Sequence, residues 1–355
     1  MSAFQSPNLL KNAKRILVIR YRFIGDTILT VPFLRNLRQA CPDAVIDVLV
    51  GPQSGSVLEN CPYVNELIVF DTTRFHKYDS GKGKAKNYWH YAFMLRKRKY
   101  DCVFVLKRSL SSGFLSLFTG APLRIGYATE GRKFLLSHPV NWRKDVHEVE
   151  SLFDILQTAG VQITNRELEA WISPDESAKV RNLFPELNES GMKILIHAAA
   201  AHPDKMYPAE NWLKILKSLE ERFDATFYFS GAERDVQLNN ELIAGSGVRG
   251  VNAAGRLSLR ESMALYAMMQ LAVCVDSGPA HLSAAVGTAT IAIFGPTDPN
   301  RWRPYGAKHQ AVFDKSIKCS ACDEKKTLTK HNCLIQLDPN QVIDAAVSVF
   351  SASSS

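Results

Sequence analysis

The sequence predicts an α/β protein built from two doubly wound halves of similar size. Short runs rich in Val, Ile and Leu alternate with longer stretches in which apolar residues recur at helical spacing. The short runs are apolar without interruption, which is typical of parallel strands covered by helices on both faces. This alternation starts again with a new apolar run at Met192–His197. We therefore predict one domain over residues 1–172 and a second over residues 173–355.

In the first half, a buried strand is predicted at Lys14–Ile19, and the periodic stretch Thr27–Ala40 predicts the helix that follows it. Further strands are predicted at Ala44–Val50, Glu66–Phe70 and Asp101–Leu106. Each of these runs is bounded by polar or turn-forming residues, as expected of strands in an alternating strand–helix order.

The second half repeats this order after its first strand. Its further strands are predicted at Ala225–Ser230, Leu271–Val275 and Thr290–Phe294, and its helices at Pro208–Phe223, Arg234–Ala244, Leu259–Met269 and about residues 339–350. Ligands of parallel sheets bind at the carboxyl ends of the strands. Two such halves therefore predict a ligand cleft between them.

Composition and charge indicate a globular protein with an anionic partner. Hydrophobic residues make up 46% of the chain and charged residues 22%, which excludes extensive disorder. The formal net charge of +8 fits nucleic acid, an acidic membrane surface or a phosphorylated substrate. No apolar run reaches the roughly 18 residues that span a bilayer, and residues 1–12 lack the pattern of a signal peptide. We therefore expect a cytoplasmic protein.

Residues 72–99 interrupt the strand–helix alternation and are predicted to form a long basic loop. They contain nine Lys or Arg residues against one acid, Asp79, with six aromatic residues interleaved. Such a loop is either a solvated, flexible insert or a functional surface. In the functional interpretation, Lys82, Lys84 and Lys86 contact a phosphorylated, lipid-linked acceptor beside an anionic membrane.

The turn after the first strand, Arg20–Thr27, carries one carboxylate. It lacks both the G-x-G-x-x-G pattern and the Lys-Ser/Thr of a P-loop. Asp26 stands near the start of the predicted helix, where an aspartate often caps N–H groups. At the carboxyl end of a strand, it could equally act as the general base for an acceptor hydroxyl. The residues alone leave both interpretations open.

Three turns of the second half have features of phosphate binding. Residues 197–208 join a strand to a helix through a turn of small residues and place Lys205 beyond it. The turn Asp276–His281 (DSGPAH) starts a helix whose N–H groups and dipole suit a diphosphate. Its histidine is either a packing residue or a functional one. The turn Gly295–Pro299 (GPTDP) ends the next strand and is expected beside it.

Taken in order, these four turns resemble those of the ADP-heptose:lipopolysaccharide heptosyltransferases, glycosyltransferase family 9. The matches are Gly25-Asp26, the His197 strand end with Lys205, DSGPAH at 276–281 and GPTDP at 295–299, with softer matches at Arg124–Tyr127 and His147-Glu148. The similarity spans nearly the whole chain. It implies the GT-B fold, in which two Rossmann-like domains face a central cleft.

The resemblance also implies site residues. Asp26 matches the family's catalytic base, and Lys205 matches a lysine that contacts the donor's phosphates. The implied donor-binding residues are His197, Ala199, Ala200, Glu233, Asp235, Leu257, Asp276, Ser277, Gly278, Pro279, Ala280 and His281. Among these, Leu257 matches an apolar residue packed on adenine, while Glu233 or Asp235 holds the ribose. The implied acceptor-binding residues are Arg22, Gly25, Lys82, Lys84, Lys86 and Arg124.

The implied reaction is the inverting transfer of heptose from ADP-L-glycero-D-manno-heptose to the lipopolysaccharide inner core. Asp26 removes a proton from the acceptor hydroxyl, while Lys205 and the helix after Ser277 absorb the charge of the leaving diphosphate. No cofactor or metal is required in this scheme. The expected partners are the nucleotide-sugar donor and a phosphorylated, lipid-linked glycan, with no nucleic acid. The expected protein is a monomer, peripheral to the cytoplasmic face of the inner membrane.

The seven cysteines do not suggest a disulfide framework, because their number is odd and their spacing uneven. Near the end of the chain, Cys319, Cys322, His331 and Cys333 have a spacing compatible with a Cys₃His zinc site. The alternative, which we favour, is a set of reduced thiols in a loop.

Other functions are also compatible with these patterns. A GT-B glycosyltransferase with another nucleotide sugar would use the same turns. A GT-B-like sugar-nucleotide epimerase or hydrolase would share the diphosphate cradle but would need further carboxylates. A basic protein that binds nucleic acid or membrane through residues 72–99 would not need two complete α/β halves.

Overall fold

The computed structural model describes residues 8–71, 86–317 and 332–353. The chain divides into two compact units, Met1–Trp171 and Ile172–Ser355. Each unit contains one six-stranded sheet in which every pair of neighbouring strands is parallel.

The first unit is a doubly wound α/β unit. Its strands are β1 (Arg15–Ile19), β2 (Val45–Val50), β3 (Glu66–Val69), β4 (Cys102–Val105), β5 (Leu123–Tyr127) and β6 (His138–Val140). Its helices are α1 (Ile24–Ile28), α2 (Val31–Ala40), α3 (Tyr88–Lys97), α4 (Leu110–Phe118) and α5 (Glu148–Thr158), with 3₁₀ turns at Ser54–Leu58 and Arg132–Leu135. The strand order is β3-β2-β1-β4-β5-β6, so the winding direction reverses between β1 and β4. Ligands of such sheets bind beyond the carboxyl ends of the strands at this switch point.

The second unit has the same topology. Its strands are β7 (Lys193–His197), β8 (Thr226–Phe229), β9 (Gly250–Asn252), β10 (Leu271–Val275), β11 (Ala289–Ile293) and β12 (His309–Val312). Its helices are α6 (Pro174–Leu183), α7 (Ala209–Phe223), α8 (Val236–Ser246), α9 (Leu259–Ala267), α10 (Gly278–Ala285), α11 (Pro299–Trp302), α12 (Asn332–Ile335) and α13 (Pro339–Ser353), with 3₁₀ turns at Pro185–Asn188, Pro203–Lys205 and Glu233–Asp235. The order β12-β11-β10-β7-β8-β9 places its switch point between β7 and β10.

The central strands explain why the sequence folds in this way. Every residue of β4, β7, β10 and β11 is buried, because helices cover both faces of each sheet. In the second unit Trp212 of α7 packs among the apolar side chains of these strands. The prediction of two doubly wound parallel units is confirmed.

The predicted helix Thr27–Ala40 is wrong as a single element. The chain forms α1 and then restarts as α2, whose second residue is Pro32. Proline has no N–H to continue the hydrogen-bond ladder, so the helix is interrupted there. The hydroxyl of Thr30 instead donates to the Asp26 carbonyl at 2.9 Å. The separate short helix α1 fixes the position of Asp26.

The predicted loop at residues 72–99 is also wrong in part, because Tyr88–Lys97 forms α3. The side chain of Asn87 accepts from the Trp89 N–H and caps this helix. Its residues Tyr91, Ala92 and Leu95 are buried against the first unit's core. Residues 72–85, which include Lys82 and Lys84, lie outside the described part of the chain.

Smaller differences concern elements without a strong periodic signal. The predicted helix Arg234–Ala244 begins as a 3₁₀ turn and continues as α8 to Ser246, and the last helix extends to Ser353 rather than Phe350. Besides α3, the strands and α-helices that no pattern predicted are β5, β6, β9, β12, α4, α5, α6, α11 and α12. Most are short or lie near the sheet edges, where burial constrains the sequence less.

Candidate functional site

Asp26 lies in the first turn of α1, beyond the carboxyl end of β1. The N-cap position of α1 is occupied by Phe23 without a side-chain cap, so the interpretation of Asp26 as the N-cap is wrong. Its Oδ1 lies 3.5 Å from a terminal nitrogen of Arg20, and its side chain is partly exposed. The carboxylate is therefore held from the protein side while a reactant can approach it from solvent.

Arg20 is a buried connector between Asp26 and a second carboxylate. Its guanidinium donates to Glu148 Oε1 at 2.9 Å, to the Leu106 carbonyl at 3.1 Å and to the Asp26 carbonyl at 3.2 Å. Burial by itself would lower the pKa of Arg20, but the charges of Asp26 and Glu148 outweigh it, and the pKa is raised. Glu148 is completely buried. The three side chains form one ionic group that joins β1, α1, α5 and the end of β4.

Lys107 completes the basic surroundings of Asp26. Its ammonium lies 4.6 Å from the centre of the Tyr21 ring. Burial and, to a smaller extent, the charge of Arg22 lower the pKa of Lys107 to about 8, although the charge of Asp26 opposes this shift. Arg22 itself has a φ of 146°, a conformation that residues with side chains rarely adopt. Strain of this kind is concentrated at functional sites.

The remaining predicted acceptor residues divide into two groups. Gly25 precedes Asp26 within α1, and Lys86 is exposed, with its N–H donating to the Asp71 carbonyl beyond the end of β3. Both lie at the carboxyl edge of the first sheet. Arg124 lies in the amino-terminal half of β5 and donates to the Leu135 carbonyl at 2.9 Å. The structure therefore does not bring Arg124 to the edge that carries Asp26.

In the second unit, Lys205 and Asp276 form an ion pair at the switch point. Lys205 Nζ lies 2.6 Å from Asp276 Oδ2. The lysine belongs to the turn after β7 and the aspartate follows β10, and these two strands are neighbours. Asp276 is buried whereas the Lys205 side chain is partly exposed. A fixed cation therefore lies where ligands of doubly wound sheets bind.

The amino terminus of α10 adjoins this ion pair. Ser277 occupies the N-cap position, but its hydroxyl donates to the Val275 carbonyl at 3.0 Å and does not cap the helix. Pro279 has no N–H, and the N–H of Ala280 donates to the Ser277 carbonyl at 3.2 Å. The dipole of α10 and the N–H of Gly278 favour an anion at this end.

His281, in the first turn of α10, is buried and neutral at physiological pH. Burial lowers its pKa to about 4, and the charge of Asp276 opposes the shift only in part. Its Nδ1 is buried and makes no hydrogen bond to any described residue. A neutral ring of this kind can donate a hydrogen bond to, or accept one from, a polar ligand at the end of α10.

Residues 89–332 match glycosyltransferase family 9 (heptosyltransferase). The chain belongs to this family.

Similar proteins agree with this assignment. The chain is 28% identical over 298 residues to lipopolysaccharide heptosyltransferase 3 of Escherichia coli, covering 80% of this chain and 84% of that protein. The glycosyltransferase family 9 structure from Veillonella parvula has a TM-score of 0.83 at 23% identity, covering 96% and 98% of the two chains. The ADP-heptose lipopolysaccharide heptosyltransferase II structure from E. coli has a TM-score of 0.76 at 23% identity, covering 96% and 100%. The resemblance inferred from the four turns and the GT-B fold are confirmed.

Glu233 and Leu257, two further residues predicted to bind the donor, lie on the neighbouring loops after β8 and β9. Gly255 has a φ of +72°, and its N–H donates to the Gly231 carbonyl at 3.0 Å, which joins the loops after β8 and β9. A Cβ at Gly255 would lie 2.1 Å from Glu233 Oε2 and 3.0 Å from Glu233 Cα. The glycine therefore lets the exposed Glu233 lie close to the loop that carries Leu257. Asp235 instead accepts from the Ala232 N–H at 2.8 Å and closes its own turn.

Other predicted donor residues have internal partners. His197 is buried, its Nδ1 lies 2.9 Å from Ser230 Oγ, and burial lowers its pKa to about 4. Ala199 is buried, and the Ala200 N–H donates to the Met206 sulfur at 3.2 Å. These contacts shape the turn after β7.

The fourth family turn has local contacts of its own, and the structure describes one member of the cysteine cluster. Asp298 accepts from the Asn300 N–H at 3.0 Å and caps α11, while Leu334 packs so closely on Gly295 that a Cβ there would lie 2.5 Å from its Cγ. Cys333 lies in α12, whereas Cys319, Cys322 and His331 lie outside the described residues. Within the described ranges, no group of three metal-ligating side chains occurs.

Sequence reasoning missed Arg20 and Lys107 as site residues and had only a soft match for Glu148. Lys107 follows β4 directly, and β4 pairs with β1, so the rule that ligands bind at strand ends would have found it. The Arg20–Glu148 pair joins residues 128 positions apart and has no local signal. In residues 8–71, 86–317 and 332–353, no helix has the length and apolarity needed to cross a membrane.

Proposed function

We propose that this family 9 enzyme transfers a heptose from ADP-L-glycero-D-manno-heptose to the lipopolysaccharide inner core, with inversion at the anomeric carbon and without a metal. The names of its relatives support the sugar and the acceptor, and the similarity to the E. coli ADP-heptose transferase supports the donor. The observation that carries the proposal is the Lys205–Asp276 pair beside the amino terminus of α10.

In this proposal, the second unit binds the donor. The diphosphate takes the end of α10, with Lys205 as its cation and the neutral ring of His281 beside it. Asp276 keeps Lys205 at the switch point and contacts the sugar. Glu233 takes the ribose hydroxyls and Leu257 the adenine. The positive groups absorb the charge of the leaving ADP, so no acid is needed to protonate it.

The first unit binds the acceptor and supplies the base. Asp26 takes the proton of the acceptor hydroxyl as that oxygen bonds to the anomeric carbon, and the bond to the diphosphate breaks with its electrons going to ADP. Arg20 fixes the carboxylate, and Glu148 balances the charge of Arg20 so that the ionic group remains anionic overall. Lys107, Arg22 and Lys86 supply positive charge for a phosphorylated acceptor at the cytoplasmic face of the inner membrane. We expect a monomer to suffice.

Nucleotide binding tests the donor half of this proposal. Calorimetric titration with ADP, UDP and GDP, first without metal and then with magnesium, should show metal-independent binding that is selective for ADP. Preference for UDP or GDP would retain a glycosyltransferase but discard ADP-heptose. Binding of none of the three would overturn the assignment of the α10 turn.

Two substitutions separate the base from the phosphate site. Asp26→Asn should lower kcat by about 100-fold or more and leave ADP affinity unchanged, because a base acts only in the transition state. Lys205→Ala should weaken ADP binding and also lower kcat. Asp43→Asn, at an exposed aspartate of the same unit, is the control and should match the parent protein. Near-parental turnover of Asp26→Asn would rule out Asp26 as the base.

A further inference from the structure

Helix α4 exposes four of its five large apolar residues, all but Leu115, and buries two of its three serines, Ser112 and Ser116. Leu110, Phe114, Leu117 and Phe118 are exposed, and their spacing of four, three and one places them on one side of the helix, here called the α4 face. The helix has the sequence LSSGFLSLF and contains no charged residue. Surface helices normally show the opposite arrangement, with polar residues outward.

The buried serines explain why the helix has this orientation. Arg132, which is fully buried, donates to Ser112 Oγ at 2.9 Å and to the Ser109 carbonyl at 3.2 Å. The hydroxyl of Ser116 donates to the Gly113 carbonyl at 2.7 Å. The polar side of α4 is thus fixed by hydrogen bonds inside the unit, which directs the apolar side outward.

Neighbouring elements extend the α4 face. Trp89 of α3 is exposed and packs against Phe118 with ring centres 5.0 Å apart, and Phe93 follows one turn later at 64% exposure. The 3₁₀ turn after β5 presents Phe134 at 73% exposure. That turn packs on α4 so closely that a Cβ at Gly113 would lie 2.9 Å from Leu135. These three aromatic residues and the α4 face are here called the apolar patch. Large apolar side chains that are exposed together on neighbouring elements, rather than scattered singly, mark an interaction site.

Basic residues outnumber acidic ones in the part of the chain that forms the apolar patch. Residues 86–137 contain ten Lys or Arg and two acidic residues, so this stretch carries as much net charge as the +8 of the whole chain. Exposed basic residues lie in α3, directly after it and in the turn that carries Phe134: Arg96, Lys97, Lys99 and Lys133. Aromatic and aliphatic side chains ringed by Lys and Arg are the composition of an interfacial membrane contact.

We propose that the apolar patch inserts into the interface of an anionic phospholipid membrane, with the surrounding lysines and arginines on the lipid headgroups. This surface goes beyond the proposed transfer reaction, because it is a contact with bulk lipid rather than with the acceptor's sugar. Helix α4 begins three residues after Lys107, so the docked surface adjoins the carboxyl edge that carries Asp26. Docking would hold that edge close to lipid-linked molecules.

The test uses the full chain and vesicles of phosphatidylglycerol and phosphatidylcholine, without donor or acceptor. The double variant Phe114→Gln/Leu117→Gln should partition into the vesicles about a hundredfold more weakly, at roughly tenfold for each apolar side chain. The control variant Leu183→Gln/Ile335→Gln changes two apolar residues of the second unit with matched exposure, 39% and 46% against 38% and 42%. It should bind like the parent protein, and vesicles of phosphatidylcholine alone should bind all three weakly.

Equal partitioning of the patch variant and the control variant would overturn the proposal, as would a parent protein that binds neither vesicle. A parent dimer that the patch substitutions dissociate, without vesicle binding, would instead assign the surface to a second copy of the chain. If the double variant fails to fold, vesicle partitioning of Phe134→Gln tests the proposal instead, because the Phe134 side chain lies mostly in solvent and its replacement should not prevent folding. Vesicle binding without transfer activity would retain this surface and overturn only the proposed function.

Discussion

Arg20 lies between two carboxylates that are 122 positions apart in the chain, Asp26 and Glu148, and its hydrogen bonds and ion pairs connect both to β1. A buried guanidinium needs this compensation, because removing one partner from a buried ion pair leaves an uncompensated charge. The side chain that carries the proposed chemistry, Asp26, is therefore the only partly exposed member of a group that is otherwise structural.

Glu148→Gln should therefore destabilise the first unit by about 3 kcal/mol, since Arg20 would keep its charge in a buried site. Urea unfolding of the full chain measures this loss. Glu150→Gln is the control, because Glu150 lies on the same helix and pairs with Arg166 near the surface, where an ion pair contributes at most about 1 kcal/mol. Equal losses of stability in Glu148→Gln and Glu150→Gln would contradict the conclusion that Glu148 compensates the buried charge of Arg20.

For single residues, the sequence predicts those that follow strands but not those that come into contact only in the folded chain. Asp26, Lys205 and Asp276 stand in the turns that follow apolar runs and could be selected from the printed chain. Glu148 begins a helix that no pattern predicted, so its contact with Arg20 could not be foreseen. Arg124 looked suitable by motif, but its position in the amino half of β5 directs it to the carbonyl of Leu135.

Among the elements, the loops after β8 and β9 show how backbone conformation affects the donor site. Gly255 and Gly247 both have a φ of +72°, but only Gly255 faces another group, Glu233, within contact distance. Gly247→Ala should cost about 1 kcal/mol of stability from backbone strain alone. Gly255→Ala should cost more and also weaken ADP binding about tenfold, because Glu233 must move. Unfolding and ADP titration of both variants measure the difference, and equal ADP affinities would remove Glu233 from the donor site.

Elements were predictable where burial on both faces imposes an apolar run, as in β4, β7, β10 and β11. Elements were less predictable where a single residue determines where a helix begins or is interrupted. Pro32 divides one periodic stretch into α1 and α2, and the N-cap Asn87 begins α3 within a basic segment that composition alone describes as a loop. Periodicity records which side of a segment is buried but not where its hydrogen-bond ladder is interrupted.

At the level of the whole molecule, we expect the stability of the second unit to fall in acid. His197 and His281 are both buried with a pKa lowered from 6.5 to about 4, so the unfolded chain binds protons that the folded unit does not between these values. The contribution of these two neutral histidines to the free energy of unfolding is therefore complete above pH 6.5. It is lost as the pH falls from 6.5 towards 4, by about 1.4 kcal/mol per histidine for each pH unit.

Unfolding free energies measured between pH 7.5 and 5 should show this loss, and His281→Gln should reduce the slope by the contribution of one histidine. The matched control is His138→Gln, at a half-buried histidine of the first unit. A slope unchanged by His281→Gln would contradict the buried neutral state of that ring.

The group around Asp26 is formed by residues of the first unit, and the Lys205–Asp276 pair by residues of the second. Each group depends on the switch point of its own sheet. A substitution that alters one group therefore leaves the supports of the other in place. Over evolutionary descent, the two halves can accumulate changes at different rates, and a lineage can acquire a new preference in one half while inheriting the other unaltered.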